Sequence, residues 1–187
     1  MPFWPSPASD KYRRIGAGEA APPLALLFCI ALLSLLLFAC SYDAKDKDDK
    51  APLFVLDDVN GKRTALEDYR GKIVVLEFFA TWCEPCQITA PLLQKLQERY
   101  KDSGVKVIGI SIDEGARAPE KVKSFMKEHM FSYTVVIDSG GAKKQYDAFG
   151  LPTTVIIDRA GRIRHRHYGI TANYSRTLAG EIDALLN

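Results

Sequence analysis

The sequence predicts an α/β domain, a sheet with helices on both faces, and three observations carry that expectation. From about residue 53 onward, short apolar strands alternate with stretches whose apolar residues recur at helical spacing. Two runs, residues 73–79 and 105–112, are apolar almost throughout rather than at every second position, as strands covered on both faces are. The chain then closes with two strands about a tight turn and a final helix.

In chain order, Leu53-Phe54-Val55-Leu56 reads as a strand, and Asn60-Gly61 is a strong hairpin turn signal that returns the chain as a second strand over 63–65. Residues 66–69 form a helical turn, and Gly71 precedes the buried strand over 73–79. A helix follows Cys86 to about Tyr100, with Ile88, Leu92, Leu93, Leu96 and Tyr100 on its apolar stripe and Pro91 as a predicted kink. After the buried strand over 105–112 come a helix over 120–130, a strand over 133–137 and a short helix over 143–149. Strands over 153–157 and 163–168 turn at Ala160-Gly161, and residues 174–186 close the chain as a helix.

Composition sets outer bounds. Apolar residues are 47% and charged residues 26% of a chain of 187, the balance of a folded protein with room for one domain plus an anchor. A net charge of +2 is too small to argue for a nucleic-acid partner.

The N-terminus reads as an address. Lys11, Arg13 and Arg14 precede the apolar run over 24–39, which is short for a spanning helix and suits an export signal. It ends Leu37-Phe38-Ala39-Cys40-Ser41, which resembles a bacterial lipobox and implies acylation of Cys40 as the mature N-terminus, although Phe38 is unusual there. An uncleaved signal anchor and plain secretion are the alternatives. All three put the domain outside the cytoplasm, with residues 1–40 as the signal. Cys29 is a small hydrophobe within the run. Residues 41–50, rich in charges of both signs with little to bury, form a flexible tether, and the folded domain spans 51–187.

The chemistry is carried by Trp82-Cys83-Glu84-Pro85-Cys86, placed between a buried strand and a helix. Cys83 at the helix start meets free N–H groups and the positive end of the dipole, which favour a thiolate. Cys86 lies one turn on, so its sulfur can close on Cys83, and Pro85 falls in the first turn where its missing N–H costs nothing. Half of a zinc site is the competing reading. It lacks ligands, since the remaining cysteines, Cys29 and Cys40, are in the signal and no histidine has ligand spacing to the pair.

Ala80-Thr81-Trp82-Cys83-Glu84-Pro85-Cys86 with Pro91 resembles the thioredoxin active-site helix, and Gly150-Leu151-Pro152-Thr153-Thr154 resembles that fold's cis-proline loop. The opening Ala51-Pro52-Leu53-Phe54, Asn60-Gly61-Lys62 and Tyr69-Arg70-Gly71-Lys72, with the insert from about 113 to 137, are similar to the extracytoplasmic TlpA/ResA family. The resemblance implies a thioredoxin fold with an N-terminal β-hairpin extension and a central helix–strand insert, and a redox-active Cys83–Cys86 disulfide. It further implies a substrate groove formed by Trp82, Leu151, a cis Pro152 and Thr153. It implies reduction of protein disulfides, often in cytochrome c maturation with apocytochrome c as substrate, and electrons from a membrane donor of the DsbD/CcdA type. No cofactor is needed. Cys83 is expected to be the exposed nucleophile and Cys86 the shielded resolving thiol.

Two positions vary on the family pattern. Thr89 stands where many members place a glutamate after the second cysteine, and Gly109 replaces the lysine that accompanies thioredoxin's buried aspartate. Glu77 occupies the position of that aspartate. Burial should raise its pKa and make it a base for Cys86, unless its longer side chain reaches solvent or a backbone donor instead. Arg162 to His167 reads as a solvated edge strand, with metal binding by His165 and His167, or contact of its basic edge with lipid headgroups, as the lesser readings. Asp113, Glu114 and Glu120 read as surface charges. Two other functions share the fold or the thiols. A thiol peroxidase is disfavoured because no proline precedes Cys83 at the required spacing, and a copper-delivering thiol chaperone because no histidine or methionine is placed beside the pair.

Overall fold

The computed structural model describes residues 49–187, and the expectations for the signal, for Cys29 and Cys40 and for most of the tether lie outside them. Five strands form the central sheet, in the order β5-β4-β3-β6-β7. They are β3 (Ile73–Phe79), β4 (Val105–Ser111), β5 (Thr134–Ile137), β6 (Thr153–Ile157) and β7 (Ile163–Tyr168). β3, β4 and β5 run parallel, and β6 and β7 are antiparallel to their neighbours. β1 (Val55–Asp57) and β2 (Arg63–Ala65) make a separate antiparallel hairpin that leads into a 3-10 turn over Leu66–Tyr69. The helices are α1 (Glu84–Arg99), α2 (Ala118–Glu128), α3 (Ala142–Gln145) and α4 (Tyr174–Leu186). This is the thioredoxin-like fold expected, with its hairpin and its helix–strand insert. Among the described residues, no helix is long and apolar enough to cross a membrane.

The strand period of two divides the core. Ile73, Val75 and Phe79 of β3 face a cluster with Leu93 and Leu96 of α1, Val122 and Phe125 of α2, and Leu178 and Ile182 of α4. Val74, Leu76 and Phe78 face the opposite cluster, with Phe54 and Leu56 from the hairpin side and Ala142 and Tyr146 around α3. Glu77 has the parity of Val75 and Phe79. Its carboxyl therefore belongs to the face beneath α1, the helix that starts at the cysteines.

Several boundaries shift for physical reasons. The first strand starts at Val55 because ladder pairing with Ala65 begins there, while Leu53 stands exposed. Asp49 and Lys50, at the end of the predicted tether, already join the fold: the Asp49 carbonyl accepts from Ile163 N at 2.7 Å, and Lys50 bridges to Arg162. α1 runs through Pro91 as one helix, which loses the bond Pro91 cannot donate to the Gln87 carbonyl. The hairpin turn docks on the insert strand, with Val59 N donating to the Val135 carbonyl at 3.2 Å and Asp58 bridging to Val136. β7 is an edge strand, yet its histidine face is not free. His165 Nδ1 lies 3.3 Å and His167 Nε2 2.8 Å from separate oxygens of Glu181 on α4.

Candidate active site

The chain leaves β3 at Phe79 and reaches the N-cap of α1, Cys83, through Ala80, Thr81 and Trp82. Cys83 has an extended backbone, φ −88° and ψ 106°, as an N-cap should, and Pro85 sits in the first turn. The turn is closed by Cys83 N donating to the Ala80 carbonyl at 3.1 Å and Cys86 N to the Cys83 carbonyl at 3.0 Å. Cys83 and Cys86 form a disulfide across a Cα separation of 5.3 Å. Cys86 is fully covered and Cys83 retains 6% of its surface, with its sulfur bonded to that of its covered partner. The exposure order of the two thiols is as expected, but in this oxidised state Cys83 is far less open than the sequence suggests. The ring of Trp82 projects into solvent, 69% exposed.

The Leu151–Pro152 peptide bond is cis. Leu151 packs against the core cluster that holds both cysteines. Thr153 is buried, and its hydroxyl donates to the Gly150 carbonyl at 2.7 Å, bracing the loop.

Glu77 is fully buried and reaches neither solvent nor a backbone donor. Thr89 donates its hydroxyl hydrogen to Oε1, and the Tyr133 hydroxyl donates to Oε2 at 3.3 Å. Burial raises the Glu77 pKa from its ordinary 4.5 to about 7, while both hydroxyl donors stabilise the anion and hold it down. Tyr133 and Tyr174 are pushed well above their ordinary value, first by burial and then by the nearby Glu77 charge, so both stay protonated. Tyr174 shares a 2.7 Å hydrogen bond with Thr154, the residue paired with Glu77 across β6. On its other side Glu77 pairs with Gly109. A Cβ there would stand 3.0 Å from Phe79 Cε1 and 3.2 Å from both Tyr133 Cε2 and Val135 Cγ2, so these three side chains fill the space that a side chain at 109 would need.

Tyr133, Tyr174 and Thr154 are not identified by the sequence reading. Their signal is weak: Tyr133 precedes β5 with the parity of Val135, which marks it as facing the same core but not as touching Glu77. Asp113 is a correction. It is 4% exposed rather than a surface charge, because Thr81 and Ser111 supply it with hydrogen-bond donors. Glu114 and Glu120 are exposed as expected.

Comparisons with known proteins bear on this arrangement. The profile of the AhpC/TSA family matches residues 48–166. Thiol-disulfide oxidoreductase ResA of Bacillus thuringiensis subsp. konkukian is 36% identical over 149 residues, covering 74% of this chain and 84% of the relative. The protein of the same name from Bacillus subtilis is 34% identical over 142 residues, covering 74% and 78%. Among solved structures, a thiol-disulfide isomerase from Corynebacterium glutamicum superposes with a TM-score of 0.62 at 32% identity, covering 74% of this chain and 98% of that one. A Chlorobium tepidum protein assigned as the thiol:disulfide interchange protein DsbE gives 0.69 at 32% identity, covering 77% and 100%. With that similarity and a disulfide at the head of α1, the chain belongs to the AhpC/TSA family as a thioredoxin-fold thiol–disulfide oxidoreductase akin to ResA.

Proposed function

We propose that the protein reduces protein disulfides on the extracytoplasmic side of a membrane, with Cys83 as nucleophile and Cys86 as resolving thiol. The observation that carries this reading is the Cys83–Cys86 disulfide at the N-terminus of α1, with Cys86 wholly covered and Cys83 at the N-cap. In the reduced protein the Cys83 thiolate attacks one sulfur of a substrate disulfide. That S–S bond breaks, one substrate thiolate leaves, and a mixed disulfide forms on Cys83. Cys86 then gives up its proton and attacks the Cys83 sulfur. The second substrate thiol leaves, two electrons have passed to the substrate, and the Cys83–Cys86 disulfide remains.

Glu77 is the base for the second step. Its pKa of about 7 lets the anion accept a proton near neutral pH. Thr89 connects it to the helix turn that carries Cys86, for its hydroxyl oxygen is also 3.2 Å from the Cys86 carbonyl. A hydroxyl has one hydrogen. With Glu77 ionised, Thr89 donates to Glu77. With Glu77 protonated, the carboxyl donates to Thr89, and Thr89 turns its hydrogen to the Cys86 carbonyl. Leu151 and cis Pro152, with the apolar wall of Trp82, form the groove in which an extended substrate segment pairs with the Leu151 backbone; Thr153, expected to line it, is instead fully buried and braces the loop from beneath.

The location rests on the sequence of residues 1–40, with acylated Cys40 as the tether, and the wider role on the TlpA/ResA resemblance: apocytochrome c among the substrates, and a membrane donor of the DsbD/CcdA type to restore the dithiol. Assays of insulin disulfide reduction, peroxide consumption and copper retention separate the readings. Insulin reduction at catalytic concentration supports this one. Peroxide turnover or tight copper binding without insulin reduction would replace it.

A further inference from the structure

The segment between β3 and Cys83 is held by Asp113, two residues beyond the end of β4. Thr81 N donates to Asp113 Oδ2 at 2.9 Å, and the Thr81 hydroxyl donates to Oδ1 at 2.6 Å. The Ser111 hydroxyl donates to Oδ2 at 2.8 Å and accepts from Asp113 N at 3.1 Å. A carboxylate this covered is costly unless its oxygens are satisfied, and here each oxygen has a donor. Alongside, Ile112 N donates to the Phe79 carbonyl at 2.9 Å, which zips the ends of the two strands together.

The grip on Thr81 has two points, one on the backbone and one on the side chain. It therefore fixes the rotation of that residue as well as its place. Trp82 and Cys83 leave the loop in directions set by Thr81. A large ring such as Trp82 on a slack loop would fold onto neighbouring apolar surface to leave water, yet it stands out in solvent.

We propose that Asp113 is a positioning residue for thiol–disulfide exchange: by clamping Thr81 at both donors it holds Cys83 at the head of α1 in the direction needed for in-line attack on a disulfide. Attack requires the thiolate sulfur to approach along the S–S axis, and a misplacement of about 1 Å in such an arrangement costs up to about a hundredfold in rate. The inference assumes Cys83 as the attacking thiol and is independent of Glu77.

The test measures the second-order rate of the reduced full-length protein with an aromatic disulfide reagent whose thiol absorbs on release. It is run at a pH where the ultraviolet absorbance of the Cys83 thiolate has reached its plateau in each variant, so differences in thiol pKa drop out. Asp113→Asn keeps the shape but turns one acceptor into a donor, and Thr81→Val removes the hydroxyl alone. Each should slow the thiolate reaction by about tenfold, the double variant should be no slower than Asp113→Asn, and Thr81→Ser should keep the parent rate. An unchanged plateau rate in Thr81→Val overturns the proposal, even if Asp113→Asn fails to fold. So does a shifted thiolate pKa with an unchanged plateau rate, which would make Asp113 a charge rather than a clamp. Cys83→Ser must abolish the fast phase, and if it does not, the assignment of the nucleophile fails rather than the clamp.

Discussion

Thr89 donates its hydroxyl hydrogen to Glu77, and this contact joins the central strand β3 to the helix that carries both cysteines. The protein thus takes its buried carboxyl from the strand and sets a hydroxyl on the helix to meet it. Tyr133, from the insert, supplies the second donor, and Gly109 leaves room for its ring.

Glu77→Gln separates the stability cost of this acid from its chemistry. The folded pKa is raised, so the carboxyl costs nothing below the unfolded value of 4.5, and the penalty grows until pH passes about 7. The wild type should lose up to ~3 kcal/mol of stability across that window, and Glu77→Gln should not. Urea unfolding at pH 4.5 and pH 8 reads this directly. The same variant should slow resolution of the mixed disulfide near neutral pH more than it slows the first attack. Stopped-flow traces with unchanged resolution from pH 6 to 9 would leave solvent as the base.

Tyr133→Phe keeps the ring beside Gly109 and removes one donor to the carboxylate. That donor lowers the Glu77 pKa, so its loss should raise it further and move the pH midpoint of resolution to higher pH. The midpoint is read from the same traces. A shift to lower pH, or none, would mean that Tyr133 is only packing.

Strands and helices with strong periodicity were legible, and the sites held by distant partners were not. β3, β6, β7 and α4 begin and end where the pattern of Ile73–Phe79, Thr153–Ile157, Ile163–Tyr168 and Tyr174–Leu186 predicts: β3 and β6 are buried runs, Gly161 and Gly169 flank β7, and α4 shows its apolar residues at helical spacing. The cysteine pair is legible because its chemistry is local. Asp113 reads as a polar loop residue after a buried strand, and only the fold brings it to Thr81, which precedes it by 32 residues. The Glu77–Tyr133 contact spans 56 residues and leaves no local trace. The alternation of β3 does point Glu77 toward the helix, but not to the two hydroxyls it finds there.

If Cys40 anchors the protein, mass spectrometry of the mature chain should find a lipidated cysteine at its N-terminus, and Cys40→Ala should block processing. A mature chain that retains Met1 would favour the signal anchor.

The most direct test of the central claim is trapping. Cys86→Ser, reduced and mixed with a disulfide-bonded protein, should accumulate a mixed disulfide on Cys83 that a reductant releases, while Cys83→Ser should trap nothing. Stable complexes on Cys86 in the Cys83→Ser variant, with none on Cys83 in Cys86→Ser, would contradict it.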